Sequence, residues 1–373
     1  MRDLNSQTLL SGAGGCLRID LAALADNYAR LKQQAPHAVA GAVVKANAYG
    51  LGVIPVTQTL YAAGCREFFV ALAHEAFDLR PHLPADARLY VLNGLSPGAE
   101  GPCAEQDIIP VLNSAGHITR WADQARAQGR PLPCALQVDT GMSRLGLSPD
   151  ELDAFLAAPP QGLDIRLLMS HLACADEPDN PANGYQLKAM QRAMERLPNV
   201  PVSFANSGGI FLNADYHHDL IRPGIALYGG APHDGQPNPM QPVARLDIAV
   251  TQTRTVPAGA HIGYGGTFIA EREMRLATLS AGYADGLPRA LSNRGAAWFD
   301  GVRLPILGRV SMDSMIIDIS ALKPDALQAG SFVELIGPHQ SIDDLARDAG
   351  TISYEILTQL GSRYFRHYIP VSS

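Results

Sequence analysis

From about residue 17 to 245, short apolar, β-branched runs alternate with stretches whose apolar residues recur every three to four positions. The first pattern suits a buried strand and the second an amphipathic helix. Residues 17–20 read as a strand and 21–34 as a helix. Strands are then predicted at 38–44, 68–72, 88–92, 107–112, 134–138, 165–170, 202–204 and 219–221. Helical patterns between them include 53–63, 114–128, 149–157 and 184–197. Eight strand–helix repeats in roughly 250 residues predict an α/β fold, a (β/α)8 TIM-type barrel. A doubly wound open sheet is the rival arrangement.

The pattern changes at Gln236-Pro237-Asn238-Pro239, a proline-rich connector. Beyond it the chain is rich in strands and poor in helices: 243–255, 276–280, 302–306, 315–319 and 332–336, with Asp300-Gly301 as a hairpin turn. Short helices are predicted at 342–348 and 353–360. The expected organisation is a flexible tail over residues 1–16, a barrel over 17–245 and a mainly β C-terminal domain over 246–373.

Composition narrows the function classes. The net charge is −7 and no Lys/Arg-rich run occurs, which argues against nucleic acid or an anionic membrane as partner. The five cysteines are widely spaced with no CxxC pair, which predicts a reducing cytoplasm and neither a disulfide frame nor a metal site. Small residues precede Cys16 as in a lipoprotein signal, but polar Asp3, Asn5, Ser6 and Gln7 interrupt any apolar segment, so no secretion signal is expected.

Ala42-Val43-Val44-Lys45 places a lysine at the end of the first barrel strand. Burial lowers a lysine's pKa, and a neutral amine is what attacks an aldehyde. A lysine that steps out into solvent is the ordinary alternative. Four more polar segments fall at predicted strand ends: Asp139-Thr140-Gly141-Met142-Ser143-Arg144, Ser170-His171, Asn206-Ser207-Gly208-Gly209 and Arg222-Pro223-Gly224-Ile225. Barrel enzymes place their sites at this rim, with phosphate held by the last two loops. Each loop alone is compatible with ordinary turn chemistry. In the second domain Tyr264 and Tyr283 sit in glycine frames, followed by Arg309-Val310-Ser311-Met312-Asp313 and Ser353-Tyr354-Glu355. A tyrosine on a β-sheet surface is an equal alternative for each.

Together these segments resemble the alanine racemase family, from about Leu17 to Tyr368. The resemblance implies a barrel that binds pyridoxal 5′-phosphate, followed by a β domain. It implies a head-to-tail homodimer in which the β domain completes the partner's site. Lys45 would carry the cofactor and act as one acid/base, and Tyr264 of the partner subunit as the other. Tyr49, Ser207, Tyr354 and the backbone of Gly224 and Ile225 would hold the phosphate, with Asn206 in the same loop. Arg222 would meet the pyridine nitrogen, and His171 would link Arg222 to Tyr264 in a cationic network. Arg144 would reach the cofactor's phenolic oxygen and the substrate carboxylate, Met312 would offer its backbone N–H to that carboxylate with Asp313 beside it, and Tyr283, Tyr354, Arg289 and Arg309 would line a narrow access route. The implied reaction interconverts L- and D-alanine, for peptidoglycan supply or for degradation.

The chain departs from the family pattern at Ser143, Ser311 and Leu51, and at Gln137, where many members have a carbamylated lysine. Gln137 adds no negative charge, and its amide is expected to bond Arg144. A racemase of other or broader specificity is the nearest alternative. A non-catalytic carrier of the same cofactor, or a decarboxylase with an acidic residue in place of Arg222, are others.

Overall fold

The computed structural model describes residues 2–371. The chain divides into two compact units. One comprises Leu24–Leu227 with Ala231–Met240; the other takes the residues through Ala23, Tyr228–Gly230 and those from Gln241 onward.

Strand β1 (Gly15–Asp20) belongs to the second unit and is taken up below. The first unit holds β2 (Val39–Ala40), β3 (Ala42–Val43), β4 (Glu67–Val70), β5 (Arg88–Val91), β6 (Ile108–Leu112), β7 (Leu132–Gln137), β8 (Leu163–Met169), β9 (Val202–Ser203) and β10 (Leu220–Ile221). They form one sheet in the order β2-β10-β9-β8-β7-β6-β5-β4-β3. Every pairing is parallel. β2 and β3 are one stretch of chain interrupted at Gly41, so the two ends of the sheet meet and eight strands close into a barrel. The Gly41 amide donates to Ile221 O at 2.9 Å on one side, and the Val44 amide to Phe69 O at 2.8 Å on the other. β4 and β6 are buried throughout, as parallel strands covered on both faces must be.

The outer helices carry their own stop and start signals. Ser114 Oγ accepts the His117 amide at the head of the helix Ala115–Gln128, which ends at left-handed Gly129. Ser148 and Glu151 form a capping box around Pro149 at the head of Pro149–Ala157.

The second unit contains β11 (Ala244–Val256), β12 (His261–Ile262), β13 (Phe268–Ile269), β14 (Met274–Leu279), β15 (Ala296–Phe299), β16 (Val302–Leu307), β17 (Met315–Asp318), β18 (Phe332–Ile336) and β19 (Phe365–Ile369). Its main sheet runs β14-β17-β16-β15-β18-β11-β1-β19, and a further β14–β11 pairing closes six of these strands into a circuit. Asp300-Gly301 is the predicted hairpin turn. Phe299 pairs with Val302, and both turn residues have positive φ, 47° and 77°.

The N-terminal residues differ from the expected tail. Arg2–Leu10 is a helix, and β1 pairs antiparallel with β11 and parallel with β19. Cys16, Leu17 and Ile19 are fully buried there. The strand read at 17–20 exists, but it completes the β sheet and not the barrel, because its apolar side chains fill the gap between β11 and β19.

Candidate active site

Lys45 follows β3 at the C-terminal rim of the barrel. The four residues after it have left-handed backbone: φ is 53° at Ala46, 54° at Asn47, 53° at Ala48 and 54° at Tyr49. Such backbone costs a residue with a Cβ about 1–2 kcal/mol, so the surroundings must impose it. The Ala48 amide donates to Val44 O at 2.9 Å and the Gly50 amide to Ala46 O at 2.8 Å. The Val53 amide donates to Asn47 Oδ1 at 2.8 Å. Glu75, which the sequence reading missed, accepts the Ala46 amide.

This turn brings the Tyr49 hydroxyl against the loop after β10. A Cβ on Gly224 would lie 2.3 Å from Tyr49 Oη, so only glycine fits there. Ser207 Oγ accepts the Gly224 amide at 2.9 Å and the Ala226 amide at 3.2 Å. Two hydroxyls and the backbone around Ile225 thus form a small polar cradle of the kind that holds anions. Asn206 acts one step back: its Oδ1 accepts the Gly209 amide at 2.9 Å and caps the helix Ser207–Leu212.

Arg222 is buried, and its guanidinium donates to Ser203 Oγ and to Ser170 O. No ion pair reaches it among the described residues. Burial draws its pKa down to about 10, so it is still a cation at neutral pH. Ser170 Oγ lies 2.8 Å from Thr140 Oγ1, and Gln186 Nε2 donates to Thr140 Oγ1 at 3.2 Å and to His171 O at 2.9 Å. Ser203 and Gln186 were not foreseen, because hydroxyls and amides facing inward leave no periodic signal.

His171 is pushed down to about 3, first by burial and then by the charges of Arg222, Arg144 and Lys45. It is therefore neutral, and the expected cationic network is corrected: Arg222 supplies the charge and the imidazole only hydrogen-bonding capacity. Lys45 is held below the ordinary lysine range by burial and by Arg144, while Glu75 pulls the other way. The solvent alternative for this lysine thus gives way to a half-buried amine whose charged form is destabilised by its surroundings.

Arg144 stands exposed on the loop after β7, which Asp139 organises by accepting the amides of Gly141 at 2.9 Å and Met142 at 3.0 Å. Ser143 has φ 56°, a backbone in which the family's usual glycine is unstrained. Gln137 Nε2 donates to Leu145 O at 3.1 Å. Its amide therefore holds the backbone beside Arg144, and not the guanidinium as expected.

In the β unit, Tyr264, Tyr283, Arg289 and Arg309 line one hollow of about 270 Å³ with Val310 and Ser311. The Tyr283 amide donates to Ser311 O at 3.0 Å and the Ala284 amide to Met312 O at 2.9 Å, which zips the two loops together. Arg363, also missed from sequence, binds Asp285 through two hydrogen bonds of 2.7 and 2.8 Å and Asp313 at 2.7 Å. Met312, Asp313 and Tyr354 do not line the hollow. Tyr354 is on the helix Ser353–Gln359. Tyr264 is 70% exposed and Met312 53%.

Residues 19–232 match the sequence model for the alanine racemase N-terminal domain, and residues 243–368 that for the C-terminal domain. The chain is 60% identical over 369 residues to "Alanine racemase, catabolic" of Agrobacterium fabrum, covering 98% of this chain and 95% of that one. It is 51% identical to the alanine racemase of Brucella suis biovar 1 over 96% of this chain and 95% of that one. Among solved structures, the alanine racemase of Bartonella henselae with covalently bound pyridoxal phosphate superposes with a TM-score of 0.92. Its identity is 45%, over 96% of this chain and 100% of that one. Two family models spanning barrel and β unit, and relatives matched over nearly their whole length, establish that the chain belongs to the alanine racemase family.

Proposed function

We propose that this protein interconverts L- and D-alanine by moving the Cα proton between two bases on opposite faces, Lys45 and Tyr264 of the partner subunit. The cofactor is pyridoxal 5′-phosphate, which when bound disperses the negative charge left at Cα. The residues present suit it. Arg222 is a buried cation that no carboxylate among the described residues neutralises, and the Gly224 backbone, Ser207 and Tyr49 form an anion cradle that a Cβ would fill. In this reading Tyr49, Ser207, Gly224, Ile225 and Tyr354 hold the phosphate, Arg222 faces the pyridine nitrogen, Arg144 reaches the cofactor's phenolic oxygen and the substrate carboxylate, and the Met312 backbone N–H meets that carboxylate with Asp313 beside it.

The observation that carries the reading is the Lys45 amine at the barrel rim, half-buried and opposed by Arg144, both of which lower its pKa in the direction a base requires. Arg222 cannot readily surrender a proton. It would therefore leave the ring nitrogen unprotonated, which would weaken the electron sink and favour return of the proton over decarboxylation. A decarboxylase would need an acidic residue at that position.

Tyr264 is exposed within its own chain, which supports a homodimer whose hollow of Tyr264, Tyr283, Arg289 and Arg309 meets the partner's barrel rim. The tyrosines of this hollow, brought to the site by the partner subunit, would favour a small side chain such as that of alanine. The word "catabolic" in the names of the Agrobacterium fabrum and Rhizobium johnstonii relatives favours a degradative role. Among the described residues no helix is long and apolar enough to cross a membrane. We place the enzyme in the cytoplasm, where its thiols stay reduced.

Chiral chromatography after incubation with pyridoxal 5′-phosphate and single L-amino acids tests the reading. Conversion of L-alanine to an equal mixture of enantiomers is expected, with larger amino acids far slower. Absence of D-alanine would overturn it.

A further inference from the structure

Four consecutive left-handed residues need a hold from outside the turn. Glu75 lies on another element, the helix Ala73–Leu79 that follows β4. Its Oε2 accepts the amides of Ala71 at 2.8 Å and Leu72 at 3.0 Å, which caps its own helix. Its Oε1 leaves that helix and accepts the Ala46 amide at 2.5 Å. Ala46 is the first left-handed residue and the direct neighbour of Lys45. Within the turn the amides of Ala48, Gly50, Leu51 and Gly52 donate to turn carbonyls or to Val44 O, whereas the Ala46 amide goes to Glu75.

We propose that Glu75 is a positioning residue for Lys45: one carboxylate bridges the ends of β3 and β4 and fixes the direction in which the lysine leaves the barrel rim. This rests on the reading of Lys45 as cofactor lysine and base. A carboxylate is suited to the task because both its oxygens only accept, and an N–H donating to a charged oxygen makes a stronger bond than to a neutral one. Glutamine keeps one accepting oxygen and turns an NH2 donor against either the Ala46 amide or the two capping amides. Glu75 is also the carboxylate whose charge acts on the lysine, against Arg144 from the loop after β7, with neutral His171 at the end of β8.

The test compares holoenzymes of the wild type, Glu75→Gln, Glu75→Gln/Ala46→Gly and Lys45→Ala. The readouts are kcat, KM and the visible circular dichroism of the bound cofactor. In Glu75→Gln, kcat is expected to fall roughly a hundredfold, as for a reacting group displaced by about 1 Å, with KM changed far less. The visible dichroism weakens while the visible absorbance persists. Glycine at exposed position 46 adopts left-handed backbone without a Cβ penalty, so the double variant recovers part of both signals, whether or not the single variant folds well. Wild-type kcat and dichroism in Glu75→Gln would overturn the proposal, as would a double variant no better than the single one. Lys45→Ala separates the two levels. If its visible absorbance survives, the reading of Lys45 itself fails; if it vanishes while Glu75→Gln is unaffected, only the role of Glu75 fails.

Discussion

Ser203 Oγ accepts a hydrogen bond from the guanidinium of Arg222 and donates its own proton to Leu220 O at 2.7 Å. One hydroxyl thus ties a buried cation to the strand that carries it. Ser203→Ala takes an acceptor from a buried guanidinium N–H and a hydroxyl donor from Leu220 O, which costs about 1–3 kcal/mol. Denaturant unfolding should show a loss of that size, together with weaker cofactor retention on dialysis. Unchanged stability would mean that the guanidinium finds another acceptor.

Gly224→Ala is expected to weaken pyridoxal 5′-phosphate binding by about tenfold or more, equivalent to roughly 1.4 kcal/mol. The cause is collision with Tyr49 Oη, since the new Cβ would sit 2.3 Å away. Tyr49→Phe in the same chain should return part of that loss by removing the hydroxyl. Titration of the apoprotein followed by visible absorbance measures both, and equal affinity in Gly224→Ala and wild type would remove Gly224 from the cradle.

His171 makes the fold sensitive to acid. Its folded pKa is depressed to about 3 from an ordinary 6.5, so between those values the unfolded chain holds a proton that the folded chain does not. Stability is fully present above the upper value and is lost as pH falls through the window. His171→Gln abolishes that titration, and its unfolding free energy should drop less than that of the wild type between about pH 7 and about pH 5. An identical drop in the two proteins would show that His171 is protonated in the fold.

Much of this was legible in the chain, for identifiable reasons. The barrel strands read correctly because parallel strands buried on both faces are short apolar runs, as at Ile108–Leu112. The rim residues stood out because lysine, histidine and arginine at the ends of such runs contradict their apolar surroundings. The closure at Gly41 and the docking of β1 beside β19 were not legible, since both depend on partners more than 150 residues away. Glu75 was hidden because one glutamate on a half-buried helix looks like any other. The left-handed turn was hidden because alanine usually signals an ordinary helix.

Gln137 carries no charge, yet it steadies Arg144 through Leu145 O. Gln137→Leu keeps the volume and loses that bond, so KM for alanine should rise roughly threefold to tenfold, the equivalent of one ordinary hydrogen bond. Steady-state kinetics would show kcat changed less than KM. A fall in kcat with KM constant would assign Gln137 to the chemical step instead.

The central claim is that Lys45 and Tyr264 act together across two subunits. Lys45→Ala and Tyr264→Phe proteins are mixed, dissociated and allowed to reassemble, and racemisation of alanine is followed by polarimetry. Each hybrid dimer then has one site with both lesions and one with neither, so the mixture should rise to about a quarter of wild-type activity, as random pairing of symmetric subunits requires. A mixture no more active than its two parents would place both residues in the same chain's site, and the shared-site account would be wrong.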